Sequence, residues 1–324
     1  MKKLYGKLVC CIIASSLVAG CESAIEVTKE KEICKTEEEC TQIGDKTLQK
    51  VYKKIEGLSE LEKVEDYDIE EYESMNMKEA EQKKEEDDNY FFLASYYIDD
   101  DEIVDPYFEK LDRKRLNKVF ADDEVAKDDL LSQRQDREYH ETLWDMYRTL
   151  IPVKYRENIT GFDLITDGYD GVVAHVMPSM DDPRDWLLSL DVLDSGVNID
   201  EVMKTLIHET AHVLTIGHKQ VPVDRKYLEA FDEEKDISSY RNKCNTVFLK
   251  NGCARKTSYI NQFYNEFWKP IEQEWTEKKV EESEEAQIKF YKEKHDEFVS
   301  LYGTTNVTED IADTFTAFIL QDSK

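Results

Sequence analysis

Apolar side chains recur with two different periods along this chain, and the change of period marks its predicted elements. Between about residues 122 and 150 they recur every three or four positions, which predicts a helix that Pro152 stops. Three β-rich runs follow at 159–165, 172–177 and 186–192, separated by turn clusters such as Thr166-Asp167-Gly168. These runs predict a small antiparallel or mixed sheet.

Helical spacing returns after the last predicted strand. Later helices are predicted at 258–275, with a bend at Pro270, at 284–301 and at 308–320. The pattern therefore predicts an α+β fold, in which a small sheet-containing N-terminal half and a helical C-terminal half flank one central helix. Asn198 is expected to cap that helix, whose apolar face comprises Val202, Leu206, Val213 and Leu214.

Residues 1–20 have the composition of a signal peptide. Early lysines precede an apolar run at 8–19, which is too short to favour a membrane span. The run ends in Leu17-Val18-Ala19-Gly20-Cys21, which resembles the lipobox of bacterial lipoproteins. That resemblance implies that Cys21 is diacylated and begins a mature protein anchored to a membrane. The alternative is an ordinary secretory signal with a chance cysteine.

Residues 21–89 are acidic and poor in large apolar groups. Such a chain cannot offset its ordering entropy by burial, so we predict a largely disordered tether. Within it, the helical spacing of Leu48, Val51, Tyr52 and Ile55 allows one short helix. Order is expected to begin near Tyr90, so that residues 90–324 form one domain.

The overall charge limits the class of partner. The chain has 72 acidic and 43 basic residues, which gives a formal net charge of −29 at pH 7. A surface this negative repels phosphate, so nucleic acid is not expected as a partner.

Cysteine usage indicates an oxidising compartment. Of the seven cysteines, two lie in the predicted signal and Cys21 would carry lipid, which leaves an even number in two local pairs. Neither pair has zinc-finger spacing with accompanying histidines, so a structural metal is the less favoured alternative. We therefore predict two disulfides, Cys34–Cys40 and Cys244–Cys253.

The central helix carries the pattern His208-Glu209-Thr210-Ala211-His212. Residues four apart lie about one turn apart on the same helix face, so the imidazoles of His208 and His212 can hold one ion. Two imidazoles and a further ligand suit a hydrolytic Zn²⁺ site with an open position for water. Glu209 is then placed to act as the general base.

The His-Glu-x-x-His pattern and several other segments resemble those of a known protein family. The His-Glu-x-x-His helix and the late segment Tyr302 to Asp313 resemble those of gluzincins, zinc metallopeptidases with a third, glutamate ligand on a later helix. The segments 162–168, 186–191 and 205–215 are similar to those of bacterial lipoproteins in a zinc-binding metallopeptidase family. The resemblance covers roughly Tyr90 to the end and implies a zincin-like fold.

The resemblance also implies roles for single residues. Glu309 would be the third zinc ligand, and Asp313 would accept a hydrogen bond from a ligand histidine and fix its tautomer. Tyr302 would stabilise the oxyanion. An edge strand would pair with an extended substrate, for which 172–177, including His175, is the candidate.

The third ligand has competitors in the sequence. Asp310 is adjacent to Glu309 and remains an alternative. His218 has the spacing of the metzincin pattern, but that pattern needs a glycine where this chain has Thr215. It also needs a later methionine, and no methionine follows Met203. We therefore expect Glu309 rather than His218 to bind the metal.

Three functions of different classes fit these observations. The first is a zinc endopeptidase that acts on peptides or proteins and is lipid-anchored in the bacterial cell envelope, outside the cytoplasm. The second is a lipid-anchored binding or scaffolding lipoprotein that retains the fold, although such a module has no need for Glu209. A peptidoglycan amidase is less favoured, because no wall-binding repeat is recognisable.

Overall fold

A computed structural model describes residues 90–120, 124–168, 171–196, 199–233 and 235–320. Five of the sequence predictions lie outside these ranges: the signal peptide with Cys21, the tether, its short helix, the Cys34–Cys40 pair and the Asn198 cap. Within the described ranges, no helix is both long enough and apolar enough to cross a membrane.

A five-stranded sheet forms the centre of the first half, with the order β2-β1-β3-β5-β4. Strands β3 and β5 are parallel, while the other neighbouring pairs are antiparallel, so the sheet is mixed as the sequence allowed. All three predicted strands are present, within about two residues of their expected ends. The five strands are β1 (Phe91–Asp99), β2 (Glu102–Phe108), β3 (Ile159–Thr166), β4 (Ala174–Pro178) and β5 (Trp186–Asp191).

The hairpin of β1 and β2 was not predicted. Its two-residue turn is Asp100-Asp101, and both residues have positive φ, at 48° and 70°. Such turns usually carry glycine or asparagine, so two aspartates give a weak sequence signal. The side chain of Asp101 also pairs with the buried Arg156, which ties the turn to the domain.

The helix predicted from about 122 to 150 is divided in two. Helix α2 ends at Gln133, and a new helix, α3, begins at Arg137, because the Asp136 carboxylate accepts a hydrogen bond from the Tyr139 backbone N–H. The helices before the central helix are α1 (Arg113–Val119), α2 (Glu124–Gln133), α3 (Arg137–Leu150) and α4 (Val153–Arg156).

The central helix, α5, spans Ile199–Ile216, and Gly217 follows its last residue. A Cβ at Gly217 would lie 2.3 Å from the Val213 carbonyl oxygen, so a larger residue would displace the chain where it leaves the helix. Two short helices and a small hairpin follow: α6 (Arg225–Asp232), α7 (Ser238–Arg241), β6 (Phe248–Leu249) and β7 (Gly252–Cys253).

Of the three predicted C-terminal helices, the first is interrupted near Pro270 as predicted, the second ends early, and the third matches its predicted range within one residue. The segment predicted at 258–275 contains α8 (Tyr259–Phe263), a π-helical turn at Tyr264–Trp268 and α9 (Glu272–Glu277). The helix predicted at 284–301 stops earlier, as α10 (Glu284–Lys294). The last helix, α11 (Val307–Leu320), begins where the Asn306 side chain accepts hydrogen bonds from the N–H groups of Thr308 and Glu309.

Two hydrophobic clusters fill the domain. The first lies between the sheet and helices α3 and α5, and it includes Trp144, Phe162 and Leu206. The second joins the C-terminal helices around Phe263, Phe290 and Ile311. Helices α5 and α11 pack against each other, so the two clusters meet along this pair. The domain is therefore an α+β structure, with the strands of its sheet before the central helix and mainly helices after it.

Candidate metal centre

Helices α5 and α11 bring three possible metal ligands together. His208 and His212 lie one turn apart on α5, and Glu309 lies in the first turn of α11. The Nε2 atoms of the two histidines are 3.0 Å apart. The Glu309 Oε2 atom lies 3.0 Å from Nε2 of His208 and 3.2 Å from Nε2 of His212. Ligand candidates 97 residues apart therefore meet in one cluster.

The spacing of these atoms fits a tetrahedral ion. Zinc bonds of about 2.0–2.1 Å give a ligand-to-ligand edge of about 3.3 Å in a tetrahedron. The three observed separations are within a few tenths of an ångström of that edge. Two imidazole nitrogens and one carboxylate oxygen are also a common donor set for hydrolytic zinc. The residues present therefore fit Zn²⁺.

A carboxylate behind His208 fixes the orientation of its ring. The Asp313 Oδ1 atom is 2.7 Å from Nδ1 of His208, and Ser300 donates from its hydroxyl to Asp313 Oδ2. Burial opposes the charged form of His208, but the bonds to Asp313 and Glu309 outweigh burial and raise the pKa of His208 to about 10. A bound cation would take the place of the Nε2 proton, while the remaining proton stays on Nδ1 towards Asp313 and the Nε2 lone pair faces the cluster.

The pKa of Glu309 is shifted downwards, in the opposite direction to that of His208. Burial raises the pKa of its carboxyl, but the interactions with His208 and His212 outweigh burial and hold that pKa at about 2. The Nδ1 atom of His212 is buried and has no hydrogen-bond partner in the described part of the chain, so no neighbour fixes its tautomer. The cluster thus places a carboxylate oxygen opposite two imidazole nitrogens, a donor set that can bind a cation in place of the proton on His208.

Glu209 lies beside the two histidines and is bound by the sheet. Its Oε2 atom accepts a hydrogen bond of 2.9 Å from the backbone N–H of Val176 in β4. Burial raises the pKa of the Glu209 carboxyl, against the lowering effect of His212 and His208. A raised pKa brings this carboxylate closer to the range in which it can exchange protons near neutral pH.

Tyr302 lies at the rim of the cluster. Its ring centroid is 5.8 Å from that of His208, and 55% of the residue is exposed. Burial, and then the carboxylates of Glu309, Glu209 and Asp313, raise the pKa of the Tyr302 phenol. The phenol therefore keeps its proton at neutral pH and can donate a hydrogen bond.

The two competing ligands, Asp310 and His218, lie outside the cluster, and so does His175 of the candidate substrate strand. Asp310 is fully buried and points away from the histidines, with its Oδ2 accepting a hydrogen bond of 2.7 Å from the Trp268 indole N–H. The Nδ1 atom of His218 lies 3.0 Å from the Arg184 carbonyl oxygen. His175 lies in β4 with its ring centroid 6.3 Å from that of Tyr90. None of these three residues belongs to the cluster.

One of the two predicted disulfides falls in the described part of the chain. Cys244 and Cys253 are bonded, with Cα atoms 5.6 Å apart, and they close the small β6–β7 hairpin. The hairpin's residue Gly252 has φ of +132°, which favours glycine.

Three features were not predicted from the sequence, and the first two of them belong to the surroundings of the cluster. Ser300 carried no motif, and the contact of Val176 is made by its backbone, which no side-chain pattern reveals. The third feature is a group of carboxylates with oxygen atoms within 4.8 Å of one another, whose members are Asp167, Asp191 and Asp194. The sequence signal that could have indicated this group is the repetition of aspartates around the ends of β3 and β5.

No model of a known protein family matches this chain, and searches of curated proteins and of solved structures also gave no match.

Proposed function

We propose that this chain is a zinc-dependent endopeptidase of the gluzincin type with a zincin-like fold. The observation that carries the proposal is the convergence of His208, His212 and Glu309 from two helices, with the Glu209 carboxylate beside them. Glu209 separates this function from a binding or scaffolding role, because a module that only holds the metal has no use for a buried carboxylate next to it.

His208, His212 and Glu309 would hold the ion, which when bound supplies Lewis acidity to the scissile carbonyl and to water. Glu209 accepts a proton as water adds to the carbonyl carbon, and it then gives that proton to the amine that leaves as the C–N bond breaks. Asp313 keeps the His208 ring in one orientation throughout. Tyr302 donates a hydrogen bond to the oxygen on which negative charge develops.

The position of β4 supports a peptide as the substrate. This strand is at the edge of the sheet and also contacts α5, so its outer backbone groups lie near the metal cluster. An extended peptide can bind to such an edge through main-chain hydrogen bonds, without a demand for particular side chains. The proposed substrates are therefore extended segments of peptides or proteins.

The proposed location rests on the sequence. The Leu17–Cys21 segment resembles a lipobox, and the disulfide between Cys244 and Cys253 is consistent with an oxidising compartment. We propose anchoring through Cys21 in the bacterial cell envelope, with residues 21–89 as a tether. Intact-mass measurement of the mature protein is expected to find acylated Cys21 at the N-terminus, and a non-acylated N-terminus elsewhere would refute this anchoring.

The catalytic proposal is tested with Glu209→Gln, which keeps the side-chain size and removes the base. The variant is expected to retain zinc and to cleave a peptide library about 10² to 10⁴ times more slowly than the wild type. Glu201→Gln, the same change in the first turn of α5, is the matched control and is expected to keep activity. Equal rates for Glu209→Gln and wild type would refute the mechanism, while zinc binding without cleavage by the wild type would favour the scaffolding role.

A further inference from the structure

The backbone N–H of Val176 is committed to the side chain of Glu209 rather than to a neighbouring strand. The nitrogen is 2.9 Å from Oε2 of Glu209, whose residue is 8% exposed. Hydrogen bonds to ionised groups are shorter and stronger than neutral ones, so this contact restrains the carboxylate more than an ordinary bond would.

The geometry of β4 explains why this N–H is available. The Asp191 N–H donates to the Val173 carbonyl, so Val173 directs its backbone groups towards β5. Because backbone groups alternate along a strand, His175 and Met177 also face β5, while the positions between them face outwards. Position 178 is a proline, which lacks an N–H and is tolerated on the outer side of an edge strand. The sheet therefore has no need of the Val176 donor.

We propose that the Val176 amide is a positioning group for the general base, an inference that rests on the proposed endopeptidase function. By holding Oε2 of Glu209, it fixes the carboxylate plane and leaves Oε1 to accept the proton. Helix α5 fixes only the Cα end of this flexible side chain, whereas the amide fixes its reactive end. Because Val176 donates to Glu209, an extended peptide at this point of β4 would be recognised through other backbone groups.

The test replaces the single N–H by oxygen while keeping every side chain. A backbone amide-to-ester change at Val176 removes the donor and places an oxygen lone pair opposite the Glu209 carboxylate. The matched control is the same ester at Ala174, another outward position of β4. Each ester weakens the preceding carbonyl as an acceptor to a similar extent, so the two proteins differ mainly in the contact to Glu209. Zinc content and thermal unfolding are measured for both.

The ester at Val176 is expected to lower kcat about 10- to 100-fold with KM changed by less than about twofold, the loss expected for a hydrogen bond to a charged group. The ester at Ala174 is expected to retain most of kcat. Equal kcat for the two esters would overturn the proposal. Parallel loss of kcat, zinc and thermal stability in the Val176 ester would also overturn it, because it would indicate a merely structural bond between β4 and α5.

A second measurement does not depend on peptide cleavage. In protein labelled with ¹⁵N-valine, the Val176 amide proton is expected to resonate downfield and to move upfield by about 1 ppm or more in Glu209→Ala. An unchanged resonance would refute the contact and with it the positioning role. A shifted resonance in a wild-type protein that cleaves no peptide would instead retain the contact and refute the endopeptidase function.

Discussion

Removal of the charge behind His208 should weaken zinc binding by a predictable amount. Asp313 is 17% exposed at its side chain and contacts His208 Nδ1 at 2.7 Å. Loss of such an outer partner typically costs 10- to 100-fold in metal affinity, or about 1.4 to 2.7 kcal/mol. Asp313→Asn keeps an acceptor without its charge, and charged bonds are about twice as strong as neutral ones. We expect about a 10-fold loss for Asp313→Asn and about 100-fold for Asp313→Ala.

The neighbouring turn of α11 provides the control. Asp310 is buried against Trp268, and burial raises the pKa of its carboxyl well above the ordinary value. Asparagine keeps the size of this side chain and an oxygen that can accept the hydrogen bond from Trp268. Competition with a chromophoric zinc chelator measures the affinities. Asp310→Asn is expected to bind zinc like the wild type. Full zinc affinity in Asp313→Asn, or an equal loss in Asp310→Asn, would refute the proposed role of the Asp313 charge.

Two further predictions concern the third ligand and the aspartate group. Glu309→Ala should lower zinc affinity sharply while His218→Ala leaves it nearly unchanged, and chelator titrations giving the opposite order would reinstate His218. Burial raises the pKa of Asp191 from 3.8 to about 7, so the folded state binds this proton more tightly than the unfolded state. The Asp191 contribution to stability is therefore fully present below about pH 4 and is lost as the pH rises through about 7. Asp191→Asn should flatten this decline in denaturant unfolding measured at several pH values; an unchanged slope would refute the assignment.

The sequence predicted the parts of the site that depend on local spacing. His208 and His212 share a face because four residues make about one helical turn, and the three β-rich runs appear as strands. The arrival of Glu309 beside them depends on how α11 packs against α5. No periodicity in the chain specifies that packing. Glu309 was named as a ligand through the resemblance to gluzincins.

Other features were missed for physical reasons. The β1–β2 hairpin turns at two aspartates in the left-handed region, where side-chain statistics favour other residues. The apolar residues keep a helical period across the break between α2 and α3, so the period does not reveal it. The break depends on Asp136, whose carboxylate caps the start of α3. The contact between Val176 and Glu209 belongs to the backbone, so the identity of residue 176 carries no information about it.

The proposed metal ligands lie on the seam between the two hydrophobic clusters. Leu206 and Ile207 of α5 belong to the first cluster and Ile311 of α11 to the second, while His208 and Glu309 lie between them. A bound ion would therefore act as a cross-link between the two halves of the domain. At a free zinc concentration 100 times the Kd, binding adds about 2.7 kcal/mol to the folded state. Chelation would remove that stabilisation at the junction and leave the packing of α11 against α5 and the first cluster as the connection between the two halves.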